Sequence, residues 1–123
     1  MKPRGIIFAV TAVLLLTITW WLGAGRRSVD QALTKLEYDK ALVAVDHLYE
    51  QRIPATTVPP ELSVVTAEVR RTEEGVYLVT HHRFVEEDGL FILRRGSTFH
   101  PEEHGDPHFV KVRERVYRYH ISG

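Results

Sequence analysis

The sequence predicts an α+β protein in which one N-terminal transmembrane helix precedes an amphipathic helix packed on a small antiparallel sheet of about four strands. Three features indicate this architecture. Residues 5–24 contain no charged side chain, residues 28–53 repeat apolar positions at helical spacing, and residues 63–123 alternate apolar and polar positions between turn-forming sequences. A Pro-rich connector, residues 54–62, separates the helical part from the sheet. A small half-barrel is the near alternative for the strand-rich part.

The uncharged run follows a basic tail, residues 1–4, and we assign residues 5–25 to the membrane-spanning helix. About 20 helical residues cover ~30 Å, which is the thickness of a bilayer's hydrocarbon core. Side chains suited to the membrane interface stand at its end: Trp20, Trp21, Arg26 and Arg27. A cleaved signal peptide is the alternative, but its apolar core is usually ~7 to 15 residues long, and Leu22 interrupts an A-x-A cleavage site.

The predicted span also indicates how the chain is placed in its membrane. Small residues at Gly5, Ala9 and Ala12 allow a partner helix to approach closely. The run contains no ionisable residue, which excludes haem or pigment ligation through histidine and proton relay. We expect a single-pass protein of the inner (cytoplasmic) membrane with its C-terminal domain on the periplasmic side, although the basic residues after the run favour the opposite orientation.

Composition excludes several classes of function. The chain has no cysteine, so disulfides, thiolate nucleophiles and cysteine zinc sites are ruled out. Four of the 16 basic residues flank the apolar run, which leaves 12 against all 16 acidic residues from Ser28 onward, a net charge of −4. A mildly acidic domain lacks the concentrated basic surface of a nucleic-acid binder.

The local sequence predicts where the elements begin and end. Ser28 and Gln31 form a capping box, and Pro54 ends the helix near Arg52. The apolar positions of this helix step by three, four and five residues: Val29, Leu33, Leu36, Ala41, Val45 and Leu48. One predicted helix therefore covers residues 28–53.

The strand-rich half divides at two predicted turns. Glu74-Gly75 separates the first two strands, and Glu87-Asp88-Gly89 ends the second hairpin because Asp-Gly between apolar runs favours a tight turn. The apolar segment 90–93 reads as a strand buried on both faces. The last strand begins at Phe109, and its apolar positions change phase, which predicts a bulge near residues 113–115.

Three evenly spaced histidines, His100, His104 and His108, form the most suggestive chemical pattern. On a helix they would share a face and bind zinc or nickel, but Pro101, Gly105 and Pro107 break a helix here. We therefore expect a hydrophilic or partner-contact loop, with metal binding as the alternative. No nucleophile or phosphate-binding motif is present, and the acid/base groups form no recognisable catalytic arrangement.

These observations lead to one main functional expectation. The chain is a non-catalytic, single-span accessory or scaffold subunit that packs against and stabilises a larger integral membrane complex, photosynthetic or respiratory, without a cofactor or small-molecule substrate of its own. The alternative is a free-standing membrane-anchored module that uses the loop from His100 to His108 to bind a metal or ligand.

Overall fold

A computed structural model of the chain describes residues 23–54 and 56–123. The predicted partner-packing residues of the span and its two tryptophans lie outside these ranges: Gly5, Ala9, Ala12, Trp20 and Trp21. Within residues 23–54 and 56–123, no helix is long and apolar enough to cross a membrane.

The described residues form an α+β fold in which helices pack on an antiparallel sheet. The helices are α1 (Ala24–Lys35), α2 (Tyr38–Glu50) and the single turn α3 (Pro60–Ser63). The strands are β1 (Glu68–Arg71), β2 (Gly75–Arg83), β3 (Glu86–Leu93), β4 (His108–Arg113) and β5 (Val116–Ile121). They lie in the order β1-β2-β3-β5-β4, and every neighbouring pair is antiparallel. The predicted class is confirmed, with five strands in place of about four.

The predicted helix over residues 28–53 is two helices. The chain is extended at Leu36 (ψ 120°) and Glu37 (ψ 100°), and α2 begins at the next residue. Leu36 is buried at this break. The break falls inside the five-residue step between Leu36 and Ala41, a spacing that does not keep two side chains on one helix face. Ser28 is not an N-cap, because α1 begins at Ala24.

The predicted turn at Glu87-Asp88-Gly89 is wrong, because these residues lie inside β3. The hairpin turns at Phe84 and Val85 instead. At Gly89 the backbones of β2 and β3 approach so closely that a Cβ atom would lie 2.1 Å from the Leu78 carbonyl oxygen. The turn predicted at Glu74-Gly75 lies at the boundary between β1 and β2, as expected.

The phase change near residues 113–115 has a different cause from the predicted bulge in one long strand. Glu114 and Arg115 form a tight turn between β4 and β5, with Arg115 at φ 66°. A smaller register irregularity does lie between Lys111 and Arg113. The turn adds the fifth strand.

The sheet has an apolar core on each face. One face packs against the helices through Val76, Leu78, Leu90, Ile92 and Val116. The other face carries an aromatic cluster: Tyr77, Phe91, Phe109 and Tyr119, with Phe99 from the β3–β4 loop packed edge-on against it. The central strand is therefore buried on both sides, as predicted for residues 90–93: Leu90, Phe91 and Ile92 have no exposed surface.

Candidate functional site

A cavity of about 450 Å³ opens where the start of α1 meets one end of the sheet. Three histidines from three strands line it, His81 on β2, His108 on β4 and His120 on β5. The carboxylates of Glu86 and Asp88 on β3 lie among them. The site is thus assembled from strands that are distant in the sequence.

The first turn of α1 closes one wall of this cavity. A Cβ atom at Gly25 would lie 2.2 Å from Asp88 Oδ2, so only glycine lets the helix approach this closely. The Ser28 hydroxyl donates to the Gly25 carbonyl oxygen (2.7 Å) and also makes a hydrogen bond with the Thr80 hydroxyl (2.9 Å). Thr80 lies at the register irregularity of β2, and its hydroxyl donates its one hydrogen either to the Ser28 hydroxyl or to the Asp88 carbonyl oxygen (3.2 Å). These contacts fix α1 to the sheet.

Asp88 orients one of the three imidazoles. Its Oδ1 lies 2.8 Å from His120 Nδ1, and its side chain is only 19% exposed. With Nδ1 of His120 bound to the carboxylate, Nε2 is the ring nitrogen left for a ligand. A paired Asp and His also occur in catalytic sites, but no serine or threonine hydroxyl of the described residues is hydrogen-bonded to His120.

Three arginines contribute to the lining of the cavity. Arg26, Arg83 and Arg118 stand among two lining carboxylates, and Asp30 just outside the lining pairs with Arg118, so these formal charges cancel when the imidazoles are neutral. Arg118 also ties α1 to β5, because its guanidinium donates to Asp30 Oδ1 (2.6 Å) and to the Arg26 carbonyl oxygen (3.4 Å). Arg118 therefore links the helical wall of the cavity to the sheet.

A second polar cluster lies on the aromatic face of the sheet. Glu87 is 5% exposed, accepts two hydrogen bonds of 2.9 Å from Arg70, and accepts one of 2.7 Å from the Tyr119 hydroxyl. Burial alone would raise the pKa of Glu87, but the bonds from Arg70 and Tyr119 outweigh burial and hold that pKa below its usual value. Burial and Glu87 together raise the pKa of Tyr119. With every partner satisfied, the cluster reads as a structural ion pair.

A third feature is an apolar groove of about 380 Å³ between α2 and the Pro-rich connector. Val43 and Leu48 of α2 form one side, and Ile53, Pro59 and Pro60 form the other. Val43 is 66% exposed, and Val64, just after α3, is 60% exposed. Of these two side chains, Val43 lines the groove, and an apolar groove with an exposed aliphatic side chain at its edge is typical of a surface that packs against another protein.

The predicted site residues separate in the structure. His100, His104 and His108 are all exposed and are not gathered into a ligand set, and no group of three or more metal-binding side chains occurs within residues 23–54 and 56–123. His108 instead bonds the Glu103 carbonyl oxygen through Nδ1 and lines the cavity. Of the predicted interface residues, Arg26 lies at the cavity and Arg27 lies beside it on α1.

The sequence interpretation missed the pairing of Asp88 with His120 and the burial of Glu87. The sequence predicts a turn at Glu87 and Asp88, and a turn gives neither side chain a partner on a distant strand. The signal that could have found them is the β-strand alternation of residues 86–93, in which Glu87 shares a face with Phe91 and Asp88 shares a face with Leu90 and Ile92.

Comparison of the chain with protein-family models, with curated proteins and with solved structures gives no match in any of the three. Function is therefore inferred from the geometry of the chain itself.

Proposed function

We propose that this chain is a non-catalytic accessory subunit, held in the inner membrane by one N-terminal span, that packs against and stabilises a larger membrane complex. A photosynthetic or respiratory complex would be a suitable host. The periplasmic side is the proposed location of the α+β domain.

The start of α1 is the observation that carries the proposal. α1 begins at Ala24, which is also the end of the predicted uncharged run, and Gly25 already packs against Asp88 of the sheet. The predicted span and the domain therefore have no flexible linker between them. A module that captures ligands away from the membrane gains reach from a long linker, whereas a bracing subunit gains from a domain fixed close to the bilayer.

The groove beside α2 supplies a surface for the host. Val43 and Val64 expose apolar area that the domain itself does not cover, and the groove between α2 and the connector is lined mostly by apolar side chains. Under this proposal an apolar segment of a host subunit fills the groove, and Val43 lies at the contact.

Co-migration in native membranes tests the proposal. Membranes solubilised in a mild detergent should carry the wild-type chain in a large complex, and Val43→Glu should release it because a carboxylate would be buried at the contact. Gln31→Glu is the matched control, since it adds the same charge at an exposed position of α1. Migration of the wild-type chain as a free monomer would refute the proposal, and equal behaviour of the two variants would refute the role of the groove.

The second candidate function is an anchored module that binds a small anion in the cavity. The three histidines and three arginines that line the cavity favour it. One of the histidines, His108, belongs to the predicted His-rich loop. Inorganic phosphate should then raise the thermal midpoint of the full chain more than chloride at equal ionic strength does. His108→Gln, an exposed substitution, should reduce this shift. An equal effect of both salts would rule the candidate out.

A further inference from the structure

The turn between β2 and β3 exposes two large apolar side chains at the tip of the hairpin. Phe84 is 91% exposed and Val85 is 70% exposed. Phe84 also adopts φ 54°, a left-handed conformation that is costly for a bulky side chain and that Asn, Asp or Gly would adopt more easily. The domain buries very little of Phe84, so its own stability does not explain an aromatic residue in this position.

The hairpin tip lies at the end of the sheet from which α1 begins. Gly25 packs against Asp88 and His81, which are directly paired across β2 and β3. Phe84 lies three residues beyond His81, roughly 10 Å along an extended strand. The span predicted over residues 5–25 overlaps the first residues of α1, so a span that continued from α1 would leave the domain at the same end as the tip.

We propose that Phe84 and Val85 insert into the interfacial region of the bilayer and form a second membrane attachment beside the span. The inference rests on the proposed function, because it takes the predicted span as the first attachment. Aromatic side chains are favoured at the level of the lipid headgroups, where an apolar ring is partly buried and water remains near.

The charges around the tip allow such an approach. Arg83 and Glu86 flank the turn, and Arg26 and Arg118 lie farther back at the cavity. Basic side chains near the interface interact with lipid phosphates, while the mixture of signs makes attachment weakly dependent on anionic lipid. The apolar side chains of the tip therefore contribute most of the proposed attachment to the bilayer.

The absence of cysteine from the chain makes a labelling experiment direct. Val85→Cys in the full chain is labelled with an environment-sensitive fluorophore and reconstituted into phosphatidylcholine vesicles containing a minority of phosphatidylglycerol. We expect a blue-shifted emission and quenching by spin-labelled lipids. Glu73→Cys, in the exposed turn at the other end of β2, is the matched control and should show neither effect. Adding Phe84→Ser to Val85→Cys should reduce the blue shift.

The outcomes separate this inference from the proposed function. If the chain stays in vesicles after a carbonate wash but the label at position 85 is as water-exposed as that at position 73, tip insertion is refuted and the span stands. Release of the chain by carbonate would refute the predicted span and, with it, a second attachment beside the span. Equal quenching at both positions would refute insertion by the tip, because both ends of β2 would then lie at the same depth and the domain would lie flat on the bilayer.

Discussion

Replacing Arg70 by methionine should destabilise the domain, because it leaves the buried Glu87 carboxylate without its cationic partner. In the wild-type chain the Glu87 carboxylate is 5% exposed and depends on Arg70 for two of its three strong hydrogen bonds. Arg70→Met keeps the length of the side chain but removes the guanidinium. The carboxylate then keeps the Tyr119 hydroxyl as its close partner, with His82 Nε2 at 3.5 Å.

The expected loss follows from the exposure of the two partners. Removing one member of a fully buried ion pair costs about 3–5 kcal/mol. Arg70 is 46% exposed at its side chain, so water screens part of the interaction and enters when the arginine is lost. We therefore expect a loss of about 2 kcal/mol in the free energy of unfolding, or roughly 8–16 °C in the thermal midpoint of a domain this small.

The same ion pair sets a pH dependence whose sign distinguishes it from simple loss of packing. The folded-state pKa of Glu87 is lowered, so its stabilising contribution is present above the unfolded-state pKa and is lost as the pH falls through the folded-state pKa. Without Arg70, burial raises the pKa of Glu87 instead. Protonation of Glu87 then restores part of the stability of the variant. As the pH falls, the difference in stability between wild type and Arg70→Met should therefore begin to shrink above pH 4.5, where Glu87 of the variant takes up its proton, and should shrink further below pH 4.5 as wild type loses the ion pair.

Near-UV circular dichroism of the full chain in detergent micelles provides the assay, because Tyr77 and Tyr119 lie in the aromatic cluster. Urea unfolding is followed at neutral and acid pH for wild type, Arg70→Met and Arg70→Met combined with Glu87→Gln. The double variant should recover part of the loss, since a neutral amide replaces the unpaired charge. A loss that is independent of pH and is not recovered by the second substitution would refute the reasoning.

Three further predictions concern positions outside this ion pair. Asp46→Asn should lower the free energy of unfolding by about 1–2 kcal/mol in urea titrations. Asp46 pairs with Arg115 at 2.5 Å, and each side chain is only 18% exposed. An unchanged urea midpoint would contradict this prediction. Gly89→Ala should lower the free energy of unfolding by about 3 kcal/mol or more, because the added Cβ would clash with a backbone carbonyl. The variant should be cleaved faster than wild type in limited proteolysis. Resistance equal to that of wild type would contradict the clash. Burial raises the pKa of Tyr49 to about 12, so wild-type stability should fall as the pH rises from about 10 through 12. Tyr49→Phe should show a smaller decline in urea titrations over this range, because the raised pKa values of Tyr77 and Tyr119 still contribute. Parallel declines would contradict the contribution of Tyr49.

Local patterns were sufficient to predict the fold class and several element boundaries. Period-two alternation predicted strands in the half of the chain that forms the sheet, and Leu90, Phe91 and Ile92 of the apolar segment 90–93 are buried as expected. The turn at Asp88-Gly89 failed because local preference for Asp-Gly turns was overridden by partners far along the chain. Glu87 meets Arg70 across the sheet, and Gly89 is required by the close approach of Leu78.

The candidate site could not be predicted from spacing within the sequence. The three evenly spaced histidines drew attention to one loop, whereas the cavity takes one histidine from each of β2, β4 and β5. Their proximity depends on the strand order, in which β5 lies between β3 and β4. The sequence predicts one last strand where the structure has two, β4 and β5, separated by the turn at Glu114 and Arg115. The strand order could therefore not be predicted.

The two proposed attachments together decide whether the domain can act as a brace. A single helical span allows the domain to rotate about the span's axis, so the groove beside Val43 would face every direction in turn. A second attachment at Phe84 removes that rotation, since Gly25 and Ser28 already fix α1 to the strands that carry the tip. The groove would then face one direction along the membrane plane, as packing against a fixed neighbour requires. Loss of the tip alone should therefore weaken association with the host even though Phe84 does not contact it.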